Sequence, residues 1–205
     1  MTESGDYISF GLDRAGGAVM DIIAHDNLQL YPKTMPRTRR AKANGRLKQI
    51  EQIVRRLIFL MALALKLEPP QPREPRKEPD LPDGVELAIF PRVPQRRFVL
   101  MPSAQAMTGS EPLPCSVRAV SGPPGPVPTA PLVQRIVALQ RVLKAPAAAA
   151  KRLARTIERL KAKGDPKPYV GPPQSAFRLG HELGALASAL PGLLNAALES
   201  WEESG

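Results

Sequence analysis

Sixteen of the chain's 24 prolines lie between Pro69 and Pro131, and no continuous regular structure can run through them. Each proline fixes φ and removes a backbone donor, so neither a helix interior nor a central strand accepts this density. Gly84, Gly109, Gly122 and Gly125 raise Pro plus Gly to about one third of that stretch, a composition typical of low-complexity chain. Residues 69–130 are therefore expected to form a Pro-rich, largely disordered connector with polyproline character. Inside it, Val85-Glu86-Leu87-Ala88-Ile89-Phe90 alternates at period 2, and Arg97-Phe98-Val99-Leu100-Met101 is a second apolar run. Together they predict a minor β-hairpin over 85–101.

Outside the connector the apolar period changes to that of a helix. Leu47, Ile50, Val54, Leu57, Met61 and Ala64 recur at alternating steps of three and four, a two-position heptad seam over 44–68. Pro69-Pro70 stops it, and Asn44 or Gly45 is the expected start. Residues 57–65 hold no charged or polar side chain, so that end must be covered from all sides. Nine residues rise only about 14 Å as helix, too short for a bilayer core, which takes about 20 apolar residues. A signal peptide ending at Ala62-Leu63-Ala64 would start unusually far from Met1, although initiation at Met35 would shorten that distance.

A second seam runs over 131–164, through Leu132, Ile136, Leu139 and Leu143, then Ala150, Leu153, Ile157 and Leu160. Pro146 occupies the position that would join the two halves, which predicts a kink or two helices. A third helical stretch over 174–205 carries Leu179, Leu183, Leu186, Leu190, Leu193 and Ala197, and Pro191-Gly192 is expected to kink or split it. Its small-residue line Gly180, Gly184, Ser188 is expected to pack against another helix. The predicted fold is all-α: a small helical bundle, or coiled-coil-like helices, with residues 1–43 a flexible acidic-then-basic segment and 165–173 a Pro/Gly linker.

Chemistry-bearing patterns are sparse. One cysteine and two histidines cannot make an internal disulfide or a usual structural zinc site. His181-Glu182 opens a His-Glu-x-x-His pattern, but residue 185 is alanine. His25-Asp26 is an isolated pair, and Cys115 sits in the proline-rich stretch near Arg118. Gly11, Gly16 and Gly17 form no phosphate loop. No enzyme, cofactor, metal or small-molecule substrate is expected. Pro72-Arg73-Glu74-Pro75-Arg76-Lys77 fits a Pro-x-x-Pro-x-basic ligand pattern, which proline-rich chain also produces by chance.

Charge is distributed in blocks. Residues 31–56 and 131–164 each hold nine bases and one acid, while the first 30 residues and the last 25 are each net acidic by four charges. Such asymmetry speaks to partners rather than to fold. The expected function is a non-enzymatic interaction or scaffold protein. It would bind a protein partner or a second copy of itself through Leu47, Ile50, Val54, Leu57, Met61, Leu153, Ile157 and Leu160. The alternative is a peripheral binder of anionic surfaces, either a nucleic-acid backbone or an acidic membrane. That role would use Arg39, Arg40, Lys42 and Arg46 in the first block and Arg152, Arg155, Arg159 and Lys163 in the second. The last four fall at steps of three, four and four, one stripe on one helix face. Tyr31 is the one aromatic residue in the two blocks, with Phe59 just past the first, which disfavours base stacking. The expected location is cytoplasmic, with a membrane-peripheral variant of the anion-binding role.

Overall fold

The proline-dense stretch separates in sequence two groups of helices that pack together through α2. A computed structural model of the chain describes residues 3–67, 95–100, 125–168, 170–171, 179–199 and 201. Helices α1 (Glu3–His25) and α2 (Arg37–Ala64) precede the connector, and α3 (Ala130–Lys144), α4 (Pro146–Ala162) and α5 (His181–Ala197) follow it. The described residues are thus an all-α bundle with one short antiparallel pairing, β1 (Thr34–Met35) with β2 (Val127–Pro128).

Helix α1 overturns the expectation of a flexible segment over 1–43. Ile8, Gly11, Ala15, Val19, Ile22 and Asp26 are buried at steps of three and four, one continuous helical stripe. Four glycines within α1 lower intrinsic helix propensity by up to about 1 kcal/mol each, so tertiary burial is what holds this helix. Gly11 has a specific packing role. A Cβ built there would lie 2.8 Å from Leu57 Cδ1, so the missing side chain lets α1 and α2 approach closely. The chain then reverses through Asn27 and Tyr31, both with φ 51°, on either side of a 3-10 turn at Leu28–Leu30. A tyrosine in the left-handed region is uncommon and strained.

Helix α2 begins at Arg37, seven residues before the expected Asn44 start, because nothing between Pro36 and Asn44 breaks a helix. Gly45 is absorbed in its interior. At 28 residues it is the longest element among those described, about 42 Å of helix. It packs on every other helix, and the core divides around it. The larger part joins Leu47, Ile50, Val54 and Ile58 to α1, α3 and α4, with Leu194, Leu198 and Trp201 closing one end. The smaller part sets Ile53 and Leu57 against Ile8 of α1 and Leu183, Leu186, Ala187 and Leu190 of α5. The apolar stretch over 57–65 is therefore covered from within the chain: Leu57, Ile58, Phe59 and Ala62 are buried, and exposure begins only at Ala64 and Leu65.

The expected break at Pro146 is present. Ala145, at φ −137° and ψ 61°, ends α3, and Pro146 is the first residue of α4. There its missing N–H leaves no hydrogen bond unmade. Gly164, at φ 71°, ends α4 in the left-handed cap that glycine favours. Helix α5 continues through Pro191 without splitting. Its buried seam is Leu183, Leu186, Leu190, Leu194 and Leu198, not the heptad continuation through Leu193, which is exposed. An isolated α-helix has 3.6 residues per turn rather than 3.5, so the core-facing line drifts off a heptad after two repeats. The small-residue line is also corrected. Gly180 and Ser188 are exposed, and Ser188 Oγ donates to Gly184 O at 3.0 Å, so this line faces solvent instead of a helix.

Two described stretches of the connector, 95–100 and 125–130, are docked. Phe98 and Leu100 pack against the core, and residues 95–100 form no strand. Thr129, itself buried, donates from its backbone N–H to Lys33 O at 3.1 Å, and its hydroxyl donates to Pro32 O. Among the described residues the two-stranded pairing lies between 34–35 and 127–128. Residues 85–94 and Met101 of the expected hairpin, the 72–77 motif and Cys115 fall outside the described residues.

Candidate functional site

The eight residues expected to bind a partner are used inside the chain. Leu47, Ile50, Val54 and Leu57 are buried, as are Leu153 and Ile157, while Met61 and Leu160 are half-buried. The heptad seams are intramolecular seams: α2 presents its stripe to α1, α4 and α5, so these side chains are not available to a second protein in the folded state. This corrects the expected partner surface. The physical reason is the unanticipated α1, which adds a third wall around α2.

The first basic block is engaged in part. Arg39 approaches buried Asp26, with Nε 3.6 Å from Oδ1, an ion pair too long to be a hydrogen bond. Arg55 Nη2 donates to Glu51 Oε2 at 3.1 Å and its Nε donates to Val99 O at 2.8 Å. The Arg55 guanidinium also lies 4.7 Å from the centroid of Phe98. Arg56 donates to Gly171 O, and burial lowers its pKa from the ordinary arginine value. Arg40 is half-buried, and only Lys42, Arg46 and Lys48 of this helix's first half are both exposed and outside any ion pair among the described residues.

At the centre of this block is a buried carboxylate that sequence reasoning passed over. Glu51 is only 4% exposed. Arg135 of α3 grips it with two hydrogen bonds, Nε to Oε1 at 2.6 Å and Nη2 to Oε2 at 2.9 Å. Arg135 Nη1 also donates to Asn44 Oδ1 at 3.1 Å. Such a fork is the strong form of an ion pair, because both carboxylate oxygens are satisfied in fixed geometry. The signal was present in the pattern: Leu47, Glu51, Val54 and Ile58 form a second line at helical steps, with one charge among apolar residues.

Helix α4 presents the contrasting surface. Its inner side buries Ala149, Ala150, Leu153, Ala154 and Ile157. Its outer side exposes Lys151, Arg152, Arg155, Arg159 and Lys163, none in an ion pair among the described residues. Arg152 Nε donates to Ala148 O at 3.4 Å, Arg159 Nε donates to Arg155 O at 3.2 Å, and Arg159 Nη2 donates to Thr156 Oγ1 at 3.4 Å. These local bonds hold two guanidinium groups along the helix surface. Lys161 leaves the stripe and covers the Trp201 ring, its Nζ 5.0 Å from the centroid. Glu158 is the one acid of α4. The structure therefore unites Arg152, Arg155, Arg159 and Lys163 on one solvent face, as the spacing predicts.

The remaining candidates are placed elsewhere. His181 is exposed at the start of α5, and Glu182 is paired with Arg14 at 3.1 Å. His25 is exposed at the end of α1. Tyr7 is half-buried with its hydroxyl enclosed, and burial raises the phenol above its ordinary pKa. Among the described residues no cluster of three His, Cys, Asp or Glu side chains could hold a metal ion, and no helix is long and apolar enough to cross a membrane. No known protein family, curated protein or solved structure matches the chain.

Proposed function

We propose that this chain is a non-enzymatic binder of polyanions, and that the outer face of α4 is its binding surface. The observation that carries this reading is the set of five exposed cations on α4 and its C-cap, none in an ion pair among the described residues, with Glu158 the one exposed acid of that helix. Ordinary surface charge is mixed in sign, and a single-signed field on one face raises the local concentration of an oppositely charged partner. The inner side of α4 is fixed on α2, so the cations are displayed from a rigid support. Lys42, Arg46 and Lys48 add positive charge on α2, outside the Glu51 network.

Retention on immobilised heparin tests this. The native protein is expected to bind at about 50 mM salt and to elute well below 1 M, since exposed charges are screened over about 3 Å at that concentration. The variant R152Q/R155Q/R159Q is expected to elute earlier with an unchanged helical circular-dichroism spectrum. Failure of the native protein to bind at the lower salt would overturn the proposal.

A further inference from the structure

We infer that the polyanion taken by the α4 face is the phosphate backbone of a nucleic-acid duplex, gripped without regard to base sequence. This rests on the polyanion-binding reading above and adds the class of partner. Three features of the face point to it.

The first is the absence of anything to insert into lipid. A helix that lies on a membrane buries an apolar stripe among the acyl chains. In α4 that stripe is already consumed: Leu153 and Ile157 are buried against the rest of the core. The apolar residues that α4 exposes are only alanines, such as Ala147, Ala148 and Ala162. An acidic bilayer would meet charge alone, whereas a phosphate backbone asks for nothing else.

The second is the kind of cation. Three of the four stripe residues are arginines, whose planar fork matches phosphate oxygens in pairs. The guanidinium groups of Arg152 and Arg159 are partly ordered by bonds from Nε to their own helix. Ordering before binding reduces the side-chain entropy lost on association. Exposed Ala148 and Ala162, near the two ends of the stripe, keep the surface low there.

The third is what the face lacks for reading bases. Helix α4 contains no aromatic residue on which a base could stack, and no Asn or Gln to pair with adenine edges. Single-strand recognition depends on such stacking platforms. A duplex keeps its bases stacked and offers about one phosphate charge per 1.7 Å of axis. From Arg152 to Lys163 the stripe extends about 16 Å along α4, long enough to engage several successive phosphates. Four neutralised phosphates give a logarithmic salt slope of about −3.6 on B-form DNA, against about −2.8 on a single strand. Between 50 and 200 mM salt the duplex affinity should therefore fall by about two orders of magnitude.

The test is fluorescence anisotropy with the full chain and three probes. These are a mixed-sequence duplex of about 20 base pairs offered as DNA and as RNA, one strand of it alone, and vesicles of phosphatidylserine with phosphatidylcholine. Heparin retention runs alongside. The expected result is duplex binding at 50 mM salt with a slope near −3.6, equal competition by an unrelated duplex, and weaker binding of the single strand and vesicles. R152Q/R155Q/R159Q/K163Q should lose at least tenfold in duplex affinity and most of the slope. Should its thermal melt shift, Arg155→Gln alone replaces it, with a slope smaller by about 0.9. Heparin binding without duplex binding overturns the inference and leaves polyanion binding standing. So does preference for the single strand, for one sequence or for the vesicles. Loss of heparin binding as well removes both.

Discussion

The two basic blocks have the same formal charge and are put to different uses. In the first, Arg39 faces Asp26, Arg55 is shared among Glu51, Val99 and Phe98, and Arg56 is spent on Gly171. In the second, one cation, Arg135, reaches across to Glu51, and the five outer cations of α4 meet no acid among the described residues. Charge counted along a sequence is therefore a poor measure of charge available to a partner. What decides availability is whether the chain folds an acid onto each base. One buried glutamate draws in a base from each block, Arg55 from the first and Arg135 from the second.

The largest effect expected from breaking this contrast lies at Arg135. Arg135→Ala removes the fork and leaves Glu51 with Arg55 as its one charged partner, so it should destabilise the chain by about 3 kcal/mol, the low end of the range for stranding one partner of a buried pair. Urea unfolding with an unchanged slope would measure it. Replacing both partners, Glu51→Leu with Arg135→Leu, should recover most of that loss, because well-packed apolar side chains often substitute for a buried pair at little cost. A double variant as unstable as the single one would show that the ion pair is not the source of the effect.

Next in size is the connector's anchor. Thr129→Val keeps the shape and removes a hydroxyl that donates to Pro32 O from a buried position, with an expected loss of about 1 kcal/mol. Arg55→Gln should cost a similar or smaller amount, since Arg55 is more exposed than Arg135, and it should speed proteolytic cleavage near Val99. The smallest stability change belongs to the other block. R152Q/R155Q/R159Q should lie within about 0.5 kcal/mol of the native chain, as surface substitutions usually do. A loss of 2 kcal/mol there would mean that the α4 face is structural after all, and the comparison between the blocks would fail.

The parts of this fold legible in sequence are those where large apolar residues mark the buried side. The seams of α2, α3 and α4 and the division at Pro146 follow from Leu, Ile and Val spacing. Helix α1 was hidden because two positions in its buried stripe are Gly11 and Ala15, which carry almost no apolar signal, and its acids read as solvated chain. The α5 seam was placed one residue early beyond Pro191 because a heptad was extended where the helix keeps its own period. The Glu51–Arg135 grip joins residues 84 apart in sequence. Local spacing can show that a charge lies in an apolar line, but not which distant side chain will meet it. The α4 stripe was legible for the opposite reason: an outward face needs no partner to be identified.

The placement of α2 at the centre of the bundle also bears on how the chain is made. Its apolar seam leaves the ribosome together with α1, but Leu153 and Ile157 of α4 and Leu183, Leu186 and Leu190 of α5 are encoded beyond the long proline-rich stretch. At about 5–20 residues per second, synthesis of that stretch and of α3 takes on the order of ten seconds. During that interval α1 and α2 can pair with each other, while the sides of α2 that await α4 and α5 stay wet. The nascent chain should therefore hold its most aggregation-prone surface at the midpoint of translation. A truncated product ending within the connector is expected to be far less soluble than the complete chain.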